Sequence, residues 1–201
     1  MKQETTRSLA AGAVEQYGPR ILNLANQLTI LRIVFVPVFV ILLVYDERGW
    51  ALAVFFAAAL SDGLDGLIAR RFGQKTSVGA ILDPIADKLL MSCSIVLLSL
   101  PQMGFANPIP VWLMLLVIFR DAFILLASLA FILTQGFRVF PPSRSGKMST
   151  MCQLATLFAV LFYNWIGVAA PGLYFLFILT GLLTAISGLQ YLSIFRNQVE
   201  G

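Results

Sequence analysis

The stretch DGLDGLIARRFGQKTSVGAILDPIAD, residues 62–87, places four aspartates, Asp62, Asp65, Asp83 and Asp87, at the ends of two strongly apolar segments. A carboxylate in the middle of a bilayer costs about 2.5–3.5 kcal/mol on insertion scales, so such groups are retained where a cation or a partner charge compensates them. The stretch therefore predicts membrane helices that share a charged site.

The composition around this stretch is that of a membrane protein. Of 201 residues, 59% are hydrophobic and only 12% are charged, and the mean hydropathy is +0.86. Apolar segments long enough to cross a hydrocarbon core of about 30 Å occur six times. The sequence predicts an all-α integral membrane protein with six transmembrane helices, at about 28–45, 49–69, 79–100, 110–134, 148–168 and 171–194.

The basic residues predict the orientation. Ten of the 14 Lys and Arg residues fall in segments on one side of the predicted spans, whereas only Arg48 falls on the other side. The positive-inside rule then places both termini in the cytoplasm, with the aspartates near the cytoplasmic ends of spans two and three. We expect a juxtamembrane segment at 1–27, including an amphipathic interfacial helix within 8–27, then a six-helix domain at 28–195 and a tail at 196–201. Residues 1–20 lack the pattern of a secretory signal and are expected to be retained.

The chain contains no histidine, and its two cysteines, Cys93 and Cys152, lie in apolar spans. Serine–histidine hydrolysis, phosphohistidine intermediates and histidine-ligated metals are thereby excluded. Any metal must be held by oxygen, which favours Mg²⁺, Mn²⁺ or Ca²⁺ over zinc or copper.

Helical spacing assembles the aspartates into two stripes. At about 100° per residue, Asp62, Asp65, Gly66 and Ala69 share one face of span two, with Arg70 beside them. The small residues would let a flat ligand or a second backbone approach closely.

Span three carries the second stripe, since Gly79, Asp83 and Asp87 recur every four residues. Four facing carboxylates can neutralise two divalent cations, whose remaining coordination positions suit phosphate oxygens. This arrangement is typical of phosphoryl transfer. Asp87 is our candidate for the general base towards a hydroxyl nucleophile. A packing or ion-pairing role explains one buried aspartate more readily than four at these intervals.

The same residues, D-x-x-D-G-x-x-A-R, eight residues, then G-x-x-x-D-x-x-x-D, resemble the signature of the CDP-alcohol phosphatidyltransferase family position for position. Residues 23–32, NLANQLTILR, are similar to the family's N-terminal segment, with Ala25 where proline is common. Residues 80–88, AILDPIADK, are similar to a run in its phosphatidylglycerophosphate synthase and cardiolipin synthase branches.

The resemblance implies a six-helix membrane enzyme, usually homodimeric, that moves a phosphatidyl group from CDP-diacylglycerol to an alcohol and releases CMP. It implies Mg²⁺ or Mn²⁺ as cofactor, with two ions held by Asp62, Asp65, Asp83 and Asp87, and Asp83 and Asp87 as catalytic residues. It also implies a CDP pocket formed by Asp62, Gly66, Ala69, Arg70 and Gly79.

The acceptor alcohol is to be sought near the basic residues of span four and the 4–5 connection. Arg120 could bind the acceptor phosphate or pair with Asp121 or a site aspartate, and the two alternatives are equally favoured. For Arg138 and Arg144, ordinary positive-inside topology competes with a substrate role. Lys147 is the stronger candidate, because residues 146–153, GKMSTMCQ, resemble the family's GKxxTxxQ opening of span five.

Two branches of the family compete for the acceptor. Phosphatidylglycerophosphate synthases usually carry Arg-Glu in span four and a second arginine eight positions after the first, where this chain has Arg120-Asp121 and Ser128. Cardiolipin synthases of the eukaryotic type usually carry Arg-Asp and then an apolar run, as here. We therefore favour phosphatidylglycerol as acceptor, with glycerol-3-phosphate as the alternative.

A bacterial cytoplasmic membrane is the expected location, with the active site facing the cytoplasm and no nucleic-acid partner.

A cation-coupled transporter is the main alternative from another class, because transporters also use intramembrane carboxylates. It predicts carboxylates near the midplane and broken helices, whereas the four aspartates cluster towards the predicted cytoplasmic end.

Overall fold

The computed structural model describes the backbone of residues 24–72, 79–135 and 144–199, and side chains within 33–61, 88–126 and 145–193. In these ranges the chain is helical and contains no strand. A 3₁₀ turn at Pro101–Met103 follows the third helix. The helices are α1 (Leu24–Val44), α2 (Arg48–Phe72), α3 (Gly79–Ser99), α4 (Val111–Gln135), α5 (Arg144–Ile166) and α6 (Leu173–Val199).

Each helix coincides with one of the predicted apolar segments, but the ends differ. Helix α1 begins at Leu24, so residues 24–27, which we assigned to the interfacial segment, continue the first helix. The rest of the predicted interfacial helix lies outside the described residues. Helix α5 begins at Arg144 rather than at residue 148. Both differences have one cause. Hydropathy identifies only the apolar part of a helix, whereas the backbone hydrogen bonds that define the helix continue into polar residues.

Two of the helices are long and apolar enough to cross a membrane when only the described residues are considered. These segments are Ser145–Ile166 and Leu173–Ser193, with mean hydropathies of 1.2 and 1.7. Shorter apolar stretches of 10–17 residues occur at Ile33–Val44, Arg48–Ser61 and Lys88–Ser99. The fold is thus consistent with a membrane protein, and the six crossings and the side of the termini stay predictions.

The outer surface of the bundle is apolar. Phe119 on α4 is 72% exposed and Phe175 on α6 is 71% exposed, and Leu115 on α4 and Leu179 on α6, one turn from them, are exposed too. A soluble monomer rarely exposes a contiguous apolar patch of more than a few hundred Å². Aromatic residues with a polar edge, Tyr45, Trp50 and Trp165, are exposed where α1, α2 and α5 end or begin, as in the aromatic belts of membrane proteins.

The core connects two groups of helices. Helix α1 packs against α2 and α3, and α6 packs against α4 and α5, while α2 contacts α5 and α3 contacts α4. Fully buried Phe39 and Phe55 join α1 to α2, with ring centroids 5.8 Å apart. Helices α4 and α6 approach closely at Gly181, where a Cβ atom would lie 2.7 Å from the Trp112 ring. Small residues give this close backbone contact in membrane bundles.

An amide clamp ties the connections at one end of the bundle. The Asn107 backbone N–H donates to Asn164 Oδ1 at 2.9 Å, and Asn164 Nδ2 donates back to the Asn107 carbonyl at 3.2 Å. The Asn107 side chain donates to the Val168 carbonyl and accepts from the Ala170 N–H, both at 2.8 Å. Arg48 Nη1 reaches the Asn164 carbonyl at 3.3 Å. This clamp fixes the 3–4 and 5–6 connections against the start of α2.

Asn164→Ala should destabilise the bundle. It leaves the Asn107 N–H and carbonyl buried without these partners, and an unsatisfied buried group costs about 1–3 kcal/mol. For a chain of this size each kcal/mol corresponds to about 2–4 °C in Tm. The measurement is thermal unfolding in detergent micelles, with exposed Gln102→Ala as control. Equal melting temperatures for the two variants would contradict the clamp.

Candidate functional site

The four aspartates all lie on helical backbone. Asp62 and Asp65 belong to the second half of α2, and Asp83 and Asp87 to the first half of α3. The helical spacing assumed from sequence is thus confirmed for the backbone at these positions. Their side chains lie outside the described residues, as do those of Gly66, Ala69, Arg70, Gly79 and Arg144, while Arg138 is outside altogether. The roles assigned to these residues stay predictions.

The donor chemistry of the chain fits a hard cation. The side chains that the structure describes contain no group of three or more Cys, Asp or Glu residues that could hold a metal. Cys93 and Cys152 are half-buried and unpaired with each other. The aspartates of α2 and α3 stay the predicted ligands, and an all-carboxylate set suits Mg²⁺ or Mn²⁺.

A buried charge cluster adjoins the last aspartate. Lys88 follows Asp87 on α3, and its Nζ lies 2.8 Å from Asp121 Oδ2 on α4. The other carboxylate oxygen, Asp121 Oδ1, lies 2.7 Å from Arg120 Nη1. The Asp121 and Arg120 side chains are only 6% and 7% exposed, and that of Lys88 is 20% exposed. We call these three residues the Lys88–Asp121–Arg120 cluster.

Arg120 extends the cluster to α6. Its Nη2 donates to Ser187 Oγ at 2.7 Å, and its guanidinium carbon lies 5.9 Å from the centroid of the Tyr191 ring. Of the two alternatives for Arg120, the ion pair with Asp121 is confirmed. Arg120 Nε is nevertheless buried, and it has no hydrogen-bond partner among the described residues. An anion-binding role therefore stays compatible with the ion pair.

The first turn of α5 lies beside α6. Ser145 Oγ hydrogen-bonds Gln190 Oε1, and Thr150 Oγ1 donates to the Gly146 carbonyl at 3.1 Å. Lys147 is exposed within this turn. The positive end of the helix dipole at an N-terminus favours an anion, and a nearby ammonium adds to that attraction. The structure thus places Lys147 on the helix start predicted for it, and its acceptor role stays a prediction.

Below this turn a ladder of neutral polar residues joins α5 to α6. Gln153 Nε2 donates to Ser149 Oγ at 3.3 Å and to Thr184 Oγ1 at 3.1 Å, and the two hydroxyls are 3.1 Å apart. One turn further, Thr156 Oγ1 lies 2.7 Å from Thr180 Oγ1. Interhelical hydrogen bonds of this kind contribute about 0.6–2 kcal/mol in membrane helices.

The residues that α6 contributes to this site were not predicted from the sequence. Thr180, Thr184 and Ser187 recur at intervals of four and three residues, which puts them on one face of α6. This spacing was visible in the sequence, but each residue is unremarkable in an apolar helix. The pairing of Lys88 with Asp121 was not visible, because it joins residues 33 positions apart on different helices.

Thr184→Val should loosen the junction of α5 and α6. Valine keeps the shape but removes the hydroxyl that contacts Ser149 and Gln153, leaving the buried Gln153 amide short of a partner. We expect a lower Tm in detergent and faster hydrogen exchange in the first half of α5. The control is Thr150→Val, which removes a hydroxyl bonded only within its own helix. A larger effect of the control would contradict this reading of the ladder.

Comparison with known proteins gives a family match over most of the chain. The family model described as CDP-alcohol phosphatidyltransferase matches residues 22–187, a range that includes the four aspartates and the Lys88–Asp121–Arg120 cluster.

Curated relatives carry two kinds of name. A probable phosphatidylglycerophosphate synthase of Mycobacterium tuberculosis is 35% identical over 100% of this chain and 97% of its own length. A CDP-diacylglycerol–glycerol-3-phosphate 3-phosphatidyltransferase of Salmonella paratyphi A is 34% identical over 88% of this chain and 97% of its own. A probable cardiolipin synthase (CMP-forming) of Drosophila melanogaster is 33% identical over 85% of this chain and 57% of its own.

Proposed function

Because the chain belongs to the CDP-alcohol phosphatidyltransferase family, we propose that it transfers the phosphatidyl group of CDP-diacylglycerol to an alcohol and releases CMP. The observation that carries this proposal is the family match over residues 22–187, within which all four aspartates fall on helical backbone at the signature spacing. The product is a phospholipid, and the reaction belongs to phospholipid biosynthesis.

The aspartates would perform the chemistry. The acceptor hydroxyl oxygen forms a bond to the phosphorus that carries diacylglycerol, the pyrophosphate P–O bond breaks, and CMP leaves. Asp87 takes the hydroxyl proton as general base, and Asp83 shares the catalytic site with it. Asp62, Asp65, Asp83 and Asp87 would hold two Mg²⁺ or Mn²⁺ ions, which neutralise phosphate charge when bound.

Small residues beside the aspartates would form the nucleotide pocket. Gly66 and Ala69 on α2 and Gly79 at the start of α3 leave room for the CDP moiety, and Asp62 borders it. Arg70 supplies a cation to the nucleotide or its phosphates.

We propose phosphatidylglycerol as the acceptor alcohol, which would make the product cardiolipin. Support comes from the Arg120-Asp121 pair, whose charges are joined and buried in the structure. Lys147, with Arg138 and Arg144, would bind the acceptor phosphate near the start of α5. Glycerol-3-phosphate is the second candidate, because a relative named for that acceptor and a relative named as a phosphatidylglycerophosphate synthase each match this chain over 97% of their own length.

The proposed setting is a bacterial cytoplasmic membrane, with six crossings and the aspartates facing the cytoplasm. The predicted positive-inside distribution and the apolar surface of the bundle support it. A homodimer is the proposed assembly.

Purified protein should release CMP from CDP-diacylglycerol only when Mg²⁺ or Mn²⁺ and an acceptor are present. EDTA should abolish the release, because four uncompensated carboxylates would repel the pyrophosphate. Thin-layer chromatography identifies the lipid formed with either phosphatidylglycerol or glycerol-3-phosphate. Ion transport without CMP release would favour the transporter alternative, and a new lipid with glycerol-3-phosphate alone would replace the proposed acceptor.

Asp87→Asn should abolish turnover while CDP-diacylglycerol still binds. A general base is required in the transition state, whereas the ground-state complex depends less on it. Loss of general base catalysis typically costs about 10²–10⁴-fold in rate. The matched control is Asp46→Asn, an exposed aspartate in the α1–α2 connection at the opposite end of α2 from the site. Full activity of the Asp87 variant would remove that residue from the base role.

A further inference from the structure

We propose that the net charge of the Lys88–Asp121–Arg120 cluster selects the acceptor, and that Asp121 is the residue that sets this charge. The inference rests on the proposed function. It concerns a property that the family match leaves open, namely whether a phosphodiester or a phosphomonoester is the preferred acceptor.

The first step is the charge balance. Two cationic side chains share one carboxylate, so the cluster carries one net positive charge. Each oxygen of the Asp121 carboxylate contacts one cation, Oδ1 with Arg120 at 2.7 Å and Oδ2 with Lys88 at 2.8 Å. Under the proposed function the aspartates of α2 and α3 are balanced by divalent cations, and Lys147, Arg138 and Arg144 bind the acceptor phosphate. The cluster adds one positive charge to this set, and a change at Asp121 or Lys88 alters that charge.

The second step is the low exposure of the cluster. Asp121 and Arg120 are more than nine-tenths buried, so their charges are screened less than those of surface ion pairs. Arg120 Nε, buried and without a partner among the described residues, supplies a donor that an anion could use. The cluster begins one residue after Asp87, on the same helix as the proposed base.

The third step is the charge of the candidate acceptors. The phosphodiester of phosphatidylglycerol carries one negative charge, whereas a phosphomonoester such as glycerol-3-phosphate carries about −1.5 to −2 at pH 7. Each positive charge that the buried cluster gains or loses therefore acts up to about twice as strongly on the phosphomonoester as on the phosphodiester. The phosphomonoester would bring an additional negative charge into a poorly screened site.

Two single variants should shift the acceptor preference in opposite directions. Asp121→Asn raises the cluster to two net positive charges and should shift the ratio of kcat/KM values towards glycerol-3-phosphate by about tenfold. Lys88→Gln leaves no net charge and should shift the ratio towards phosphatidylglycerol. The assay is CMP release at about pH 8, where the phosphomonoester is a dianion, with each acceptor titrated separately. The shift should appear in KM for the acceptor.

The double variant Lys88→Gln with Asp121→Asn restores one net positive charge and should return the ratio towards that of the unmodified protein. A role confined to packing would instead lower turnover with both acceptors together. Ser187→Ala is the neutral control, since it frees Arg120 Nη2 without changing charge and should leave the ratio unchanged.

The outcomes separate this inference from the proposed function. Absence of CMP release by the unmodified protein with either acceptor overturns both. CMP release with an unchanged ratio in the single variants overturns only the charge selection. Folding of Asp121→Asn is judged by size-exclusion chromatography and Tm. If this variant does not fold, the ratios of kcat/KM measured for Lys88→Gln and for the double variant test the charge selection instead. Opposite shifts that cancel in the double variant support the inference.

Discussion

The bifurcated ion pair of Asp121 is the interaction on which the described site depends. One carboxylate contacts cations from α3 and α4, and through Arg120 it reaches Ser187 on α6. Removing one member of a buried pair typically costs about 3–5 kcal/mol, because the remaining charge is left without compensation. The Asp121 carboxylate therefore links three helices, and it does so through Lys88, which follows the proposed general base in the sequence.

Hydrogen bonds between neutral side chains connect the remaining elements of the bundle. Ser149, Gln153 and Thr184 join α5 to α6 by hydrogen bonds between side chains. At the other end the Asn107–Asn164 amide clamp holds the connections. The apolar core side chains, such as Phe39 and Leu113, pack together, but such contacts do not specify how the helices are oriented. Polar contacts thus specify which helices are neighbours, and apolar packing fills the space between them.

Much of this architecture could be predicted from the sequence, because hydropathy and helical periodicity depend only on residues that are close together in the chain. The six apolar segments coincide with helices, and the helical spacing of the aspartates holds for the backbone. Helix ends were predicted less well, as at Leu24 and Arg144, because a helix continues where hydropathy falls. The pairing of Lys88 with Asp121 could not be predicted, since it depends on how α3 and α4 pack. The α6 residues Thr180, Thr184 and Ser187 carried a visible spacing, but only the structure shows what they contact.

The amide clamp has a consequence for permeability. The hydrogen bonds between Asn107 and Asn164 join neutral groups, whereas Arg48 brings a cation to the edge of the clamp. The fully buried side chains Leu98, Ile109 and Leu113 are aliphatic. In a bilayer, this aliphatic layer would lie between the clamp and the end of the bundle that carries the proposed carboxylate site. An ion drawn to the carboxylate site would meet these apolar side chains on its way across the bilayer, which would oppose leakage of an ion gradient through the bundle.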